Sequence, residues 1–353
     1  MSRPLIAPVL IPHGYCAPGC PYCPDRGQAF PIPGPLQVAE AMDRARRKAP
    51  GRPVELAFYG GDLWSLPRGP RAALLASAHG MVRRGLAQSV RVTLSPMSAL
   101  RAPLGDLRAR GIRAVEVPVL TFDPAVLRRL AARRRADAGG GALSRLRQAG
   151  FRTIAHLAPG LPGSSHRTAV TSAELLARTR PDAARVLPAL ALEGTWGATH
   201  FEAGLWVPMS IEEAVATCRH VVRRLRTGGT EIIRVGLQPA VDLQEAPDVL
   251  AGPFDPAMRQ RVEAELLRAA ATDALRAAFA FPLREFSFVV HPREEAYLRG
   301  HENRALQRLK EQFRLDHLAV FTSPHVPRGR PVVLRGIAGP DQIQGAVGAR
   351  KAS

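Results

Sequence analysis

Three of the chain's four cysteines, Cys16, Cys20 and Cys23, fall within eight residues at the spacing C-x3-C-x2-C. They stand in the loop His13-Gly14-Tyr15-Cys16-Ala17-Pro18-Gly19-Cys20-Pro21-Tyr22-Cys23, which is rich in glycine and proline. Such a loop can wrap without helix or sheet, so three thiolates can converge on one point. Three thiolates on a cubane of four irons leave one iron open, and an open iron binds a substrate or cofactor directly. The alternative is structural zinc, which takes four protein ligands. His13 or a distant residue would then have to be the fourth, because no second CxxC or HxxxH pair is present. Four cysteines are too few for a disulfide scaffold in 353 residues, and their clustering implies a metal in a reducing compartment. Cys218, the remaining one, lies in a helical run over 211–225 and reads as a small buried hydrophobe.

The elements that must position this loop follow from periodicity. Strands are expected over 5–11, 54–59, 90–94, 114–120, 153–157 and 185–192. Helices are expected between them over 36–47, 71–84, 99–110, 124–149 (broken at Gly139-Gly140-Gly141), 167–178 and 211–225. Alternation of this kind builds a parallel α/β sheet, and six βα units predict a partial (β/α)6 barrel of the TIM type, open on one side. Chemistry in such barrels sits at the C-terminal ends of the strands. The informative loops, at 13–24, 60–66, 159–163 and 193–196, all follow strands. Beyond 232–238 the pattern changes. A linker over 239–256, a helix over 257–278, a strand over 285–290, a helix over 303–313 and strands over 318–322 and 331–334 read as a small C-terminal α+β extension. The expected domains are therefore 1–238 and 239–353.

Composition bounds the partners. The apolar share of 46% supports a real core, and no apolar run reaches the ~18 residues of a membrane span. The first thirteen residues carry Pro4, Pro8 and Pro12 and no small-residue cleavage site, so they read as a strand and not a signal peptide. A cytoplasmic location is the default. The net charge of +19 is nearly all arginine, with lysine only at Lys48, Lys310 and Lys351. Basic surfaces collect phosphates, and a GC-rich genome produces the same bias, so charge alone leaves RNA binding open.

The cysteine loop resembles the signature of the radical S-adenosylmethionine (SAM) superfamily, with Tyr22 as the aromatic before the third cysteine. Phe58-Tyr59-Gly60-Gly61-Asp62, at the end of the second strand, is similar to that family's glycine-rich segment. Leu161-Pro162-Gly163, Glu193-Gly194-Thr195, Ile233-Arg234-Val235-Gly236-Leu237-Gln238 and Ala251-Gly252-Pro253-Phe254 resemble the Elongator catalytic-subunit-like branch, as does the stretch 291–319. The likeness runs over about residues 5–320.

The resemblance implies a 4Fe–4S cluster on Cys16, Cys20 and Cys23, whose open iron chelates the amino and carboxylate groups of SAM. One-electron reduction by an electron donor then yields a 5′-deoxyadenosyl radical for hydrogen abstraction. It also implies that Tyr22, Gly60, Gly61 and Asp62 bind the cofactor, with Glu116 near its ribose and Arg133 and Arg185 as further contacts. No catalytic side chain is singled out. Bare backbone at Gly61 lets the cofactor approach, so Gly61→Val is expected to impair cofactor binding and spare the cluster. Elongator-type proteins modify the wobble uridine of tRNA with acetyl-CoA from an acetyltransferase domain. Only about 115 residues follow Gln238, and they contain no R/Q-x-x-G-x-G/A pantetheine loop, so acetyl-CoA chemistry is not expected in this chain. The expectation is a radical SAM enzyme, with tRNA modification as the leading substrate. Its rivals are a radical enzyme acting on a tetrapyrrole-like small molecule, related to oxygen-independent coproporphyrinogen oxidase, and a non-catalytic metal-binding RNA adaptor.

Overall fold

The computed structural model describes residues 4–16, 31–130, 138–237, 249–279 and 282–339, together with Gln342 and Gln344. The chain divides into two compact units, Met1–Pro256 and Ala257–Ser353. The expected boundary at Gln238 lies outside the described residues.

In the first unit the strands are β1 (Leu5–Ile11), β2 (Val54–Gly60), β3 (Ser89–Thr93), β4 (Ile112–Leu120), β5 (Arg152–Leu157), β6 (Ala183–Val186), β7 (Ala191–Leu192), β8 (Glu231–Val235) and β9 (Val249–Ala251). Seven of them form one sheet in the order β1-β2-β3-β4-β5-β6-β8, with every pairing parallel. The expected partial barrel is present, and a seventh strand extends it. The helices that follow the strands are α1 (Pro35–Lys48), α2 (Arg68–Arg83), α3 (Pro96–Arg101), α4 (Leu104–Ala109), α5 (Pro124–Leu130), α6 (Ala138–Gln148), α7 (His166–Arg178), α8 (Trp196–Glu202) and α9 (Ile211–Thr227). The longest of these, α9, starts at a capping box in which Ser210 Oγ accepts from Glu213 N and the Glu213 carboxylate accepts from Ser210 N.

The two faces of the sheet differ in chemistry because side chains alternate along a strand. Leu56, Phe58, Val90, Val92, Val115 and Val117 are fully buried on one face. Helix α6 packs there: a Cβ added at Gly139 would stand 2.8 Å from Val119 Cγ1. The opposite face carries Glu55, Tyr59, Arg91, Glu116, His156, Arg185 and Arg234.

Three local expectations need correction. The glycines at 139–141 do not break a helix but lie inside α6, where the missing side chain lets the helix approach Val119. The run 99–110 is two helices, because Pro103 forces Ala102 into extended backbone at ψ 144°. The run 185–192 is also two elements. Pro188 has no N–H for a ladder, so β6 stops, and β7 pairs antiparallel with β9 instead.

The second unit contains α10 (Met258–Ala278), β10 (Glu285–Val290), α11 (Glu295–Arg299), α12 (Arg304–Gln312), β11 (His317–Thr322) and β12 (Val332–Arg335). Its sheet has the order β11-β10-β12, with β10 parallel to β11 and antiparallel to β12. Leu267 and Leu275 of α10 pack with Phe286 and Phe288 of β10 and Leu298 of α11 in its core. It has the α+β character expected for the C-terminal part of the chain. Among the described residues no helix is long and apolar enough to cross a membrane.

Candidate cofactor site at the barrel mouth

β1 ends at Ile11, and the chain passes through Pro12 and a single 3-10 turn, His13–Tyr15, to Cys16. The neighbouring strand, β2, ends in Gly60, whose φ of +91° is open to glycine at little cost. Gly61 N donates to Ile11 O at 2.8 Å, and Asp62 N donates to Cys16 Sγ at 3.3 Å. A backbone N–H aimed at sulfur favours the thiolate, the form that ligates iron. The Asp62 carboxylate is buried and accepts from Trp64 N at 3.0 Å, Ser65 Oγ at 2.8 Å and Ser98 Oγ at 2.5 Å. Three of its roughly four acceptor positions are thus spent on fixing the loop.

The glycines are dictated by the cysteine loop itself. A Cβ on Gly61 would lie 2.4 Å from Pro12 O, and one on Gly60 would lie 2.6 Å from Leu10 Cδ1 and 2.9 Å from Ile11 O. A side chain at position 61 therefore collides with the backbone leading to Cys16, whatever it does to a cofactor. The expectation that Gly61→Val spares the cluster is corrected on this ground. Even Gly61→Ala should lower stability by ~1–3 kcal/mol and reduce iron loading, as read by urea unfolding and metal analysis. Wild-type values for both would show that the loop yields to a methyl group.

A second cluster spans the polar face of the sheet. Glu116, on β4, is buried at 3% exposure. Its Oε1 accepts from Arg91 Nη1 at 3.1 Å and Arg185 Nη2 at 2.9 Å. Its Oε2 accepts from Arg185 Nε at 3.0 Å and meets His156 Nε2 at 2.7 Å. Burial would raise the Glu116 pKa, but the hydrogen bond and charge of His156, followed by those of Arg185, hold it well below the ordinary carboxylate range. Arg91 also pairs with Glu55 of β2. Burial disfavours the Arg91 cation, and the two carboxylates outweigh that and raise its pKa. The network thus crosses β2, β3, β4, β5 and β6 in turn.

Of the residues expected to serve the site, the structure brings Cys16, Gly60, Gly61 and Asp62 together, and Glu116 and Arg185 together. Cys20, Cys23, Tyr22 and Arg133 lie outside the described residues. Arg91, His156 and Glu55 were not read from the sequence, nor was Arg234 as a site residue. Each is a polar side chain within an apolar strand, which is the signal that marks them. Cys218 is fully buried, and burial pushes its thiol up to about 12.

No family model matches the chain, and no curated protein matches it. Among solved structures it is similar to the archaeal Methanocaldococcus infernus Elp3 lacking residues 1–46, with a TM-score of 0.60 at 15% identity. That match covers 75% of this chain, which spans 63% of the Elp3 chain. Coproporphyrinogen III oxidase (HemN) from Escherichia coli matches at a TM-score of 0.45 and 20% identity, over 64% of this chain and 53% of its own. Methylornithine synthase (PylB) matches at 0.44 and 16%, over 74% and 86%. With its parallel seven-stranded partial barrel, the chain shares the fold of the archaeal Elp3 structure.

Proposed function

We propose that the chain is a radical SAM enzyme whose Cys16, Cys20 and Cys23 hold a 4Fe–4S cluster. The observation that carries this reading is the hydrogen bond from Asp62 N to Cys16 Sγ, which couples the cysteine loop to the glycine-rich end of β2. Supplied with an electron, such a cluster splits SAM into methionine and a 5′-deoxyadenosyl radical that abstracts hydrogen. The chain's own residues divide the remaining work. Gly60 and Gly61 offer bare backbone beside the cysteine loop, and Asp62 locks that backbone in place. All four acceptor positions of Glu116 are occupied, so its role is to position Arg185 and His156 at the mouth. Reconstituted anaerobically and reduced, the protein should cleave SAM slowly to methionine and 5′-deoxyadenosine without substrate. No cleavage by protein carrying its full iron and sulfide would end the enzyme reading and favour the RNA adaptor.

Structured RNA, with tRNA as the test case, is the substrate that the net charge of +19 and the Elongator-like motifs favour. Aromatic residues are only 5% of the chain, so contact would rest on phosphates and shape more than on base stacking. Binding of tRNA should then weaken steeply between ~50 and ~200 mM salt. It should also persist against an equal mass of heparin. Equal competition by heparin would make the charge compositional and favour a small-molecule substrate.

A further inference from the structure

Arg234 of β8 lies in register with Arg185 of β6, toward the C-terminal ends of both strands. Three guanidiniums, Arg91, Arg185 and Arg234, share this face of the sheet with two carboxylates, Glu55 and Glu116. Neither carboxylate forms a hydrogen bond or an ion pair with Arg234. Glu116 is fully engaged by Arg91, His156 and Arg185, and Glu55 pairs with Arg91. Among the described residues Arg234 has no ion pair and no side-chain hydrogen bond, although it is half-buried. Burial lowers its pKa and the adjacent Arg185 cation lowers it further, while Glu116 and Tyr59 oppose the shift. Two partly desolvated cations side by side are unfavourable unless an anion meets them.

We propose that Arg234, with the remaining Nη1 of Arg185, binds an oxyanion, a phosphate or carboxylate, carried by the substrate. The assignment to substrate rests on the radical-enzyme reading above. Arg185 spends Nε and Nη2 on Glu116, which leaves its Nη1 and the whole Arg234 fork uncommitted among the described residues. A planar fork of this kind suits two-pronged recognition of phosphate or carboxylate. Tyr59, near the end of β2, acts on Arg234 electrostatically. The glycines proposed for the cofactor's amino acid end follow Tyr59 directly.

The test is phenylglyoxal labelling of the reconstituted protein with SAM bound, read residue by residue by mass spectrometry. Arg83, exposed on α2, serves as the internal reference. Arg234 should still react when SAM is bound. Saturating inorganic phosphate or acetate should slow its labelling about five-fold or more and leave Arg83 unchanged. The anion that protects at the lower concentration identifies the group as phosphate or carboxylate. Two results would overturn the proposal: full protection by SAM alone, which would give Arg234 to the cofactor, or anion effects no larger at Arg234 than at Arg83. Cluster absorbance and SAM cleavage are measured on the same samples. Protection by phosphate without either would remove the radical-enzyme reading and leave the anion site standing.

Discussion

Cys16→Ala, Cys20→Ala and Cys23→Ala should each abolish the binding of about four irons per chain after anaerobic reconstitution with iron and sulfide. Cys218→Ala should bind iron as the wild type does. The contrast follows from their surroundings. Cys16 ends a 3-10 turn at the barrel mouth, and its sulfur accepts the Asp62 N–H, so negative charge on sulfur is favoured there. Cys218 faces the core from α9, where burial drives its thiol pKa to about 12 and keeps it protonated and inert. The measurements are iron and sulfide content together with the visible absorbance of the cluster. Stoichiometric zinc without a sulfide-dependent band would overturn the cluster assignment and return the loop to a structural metal site.

Glu116→Ala should cost about 3–5 kcal/mol of unfolding free energy at neutral pH, because it leaves Arg91 and Arg185 near a cavity without their shared anion. Glu116→Gln keeps the volume but removes the charge, so it should fall between alanine and wild type. The pH dependence carries the sign. The native pKa of Glu116 is depressed relative to the unfolded chain, so its contribution is complete above the ordinary carboxylate value and is lost as pH falls through the native value. Urea midpoints followed downward from neutral pH should therefore drop more in the wild type than in Glu116→Gln. Parallel curves, or near-wild-type stability of Glu116→Ala, would mean that water replaces the carboxylate and that the network holds little together.

Local chemistry made a large part of this protein legible in its sequence. The cysteine spacing sits in one Gly/Pro-rich loop, where contour length alone brings the three residues near each other. The strand at 285–290 and the first strand at 5–11 match the structure residue for residue, because each is a short apolar run bounded by turn residues. What the sequence could not show are the partners. Asp62 is gripped by Ser98, 36 positions away, and Glu116 by Arg91, His156 and Arg185, at separations of 25, 40 and 69. Those meetings depend on parallel register, which the crossover helices and their packing determine. Gly61 shows the same division. Its spacing marks it as a place where backbone must come close, and the tertiary structure shows that the first group it meets is the carbonyl of Pro12. Arg234, unpartnered among the described residues, is likewise visible only in three dimensions, because its lack of a counter-ion emerges once the described carboxylates on its face, Glu55 and Glu116, are seen to pair elsewhere.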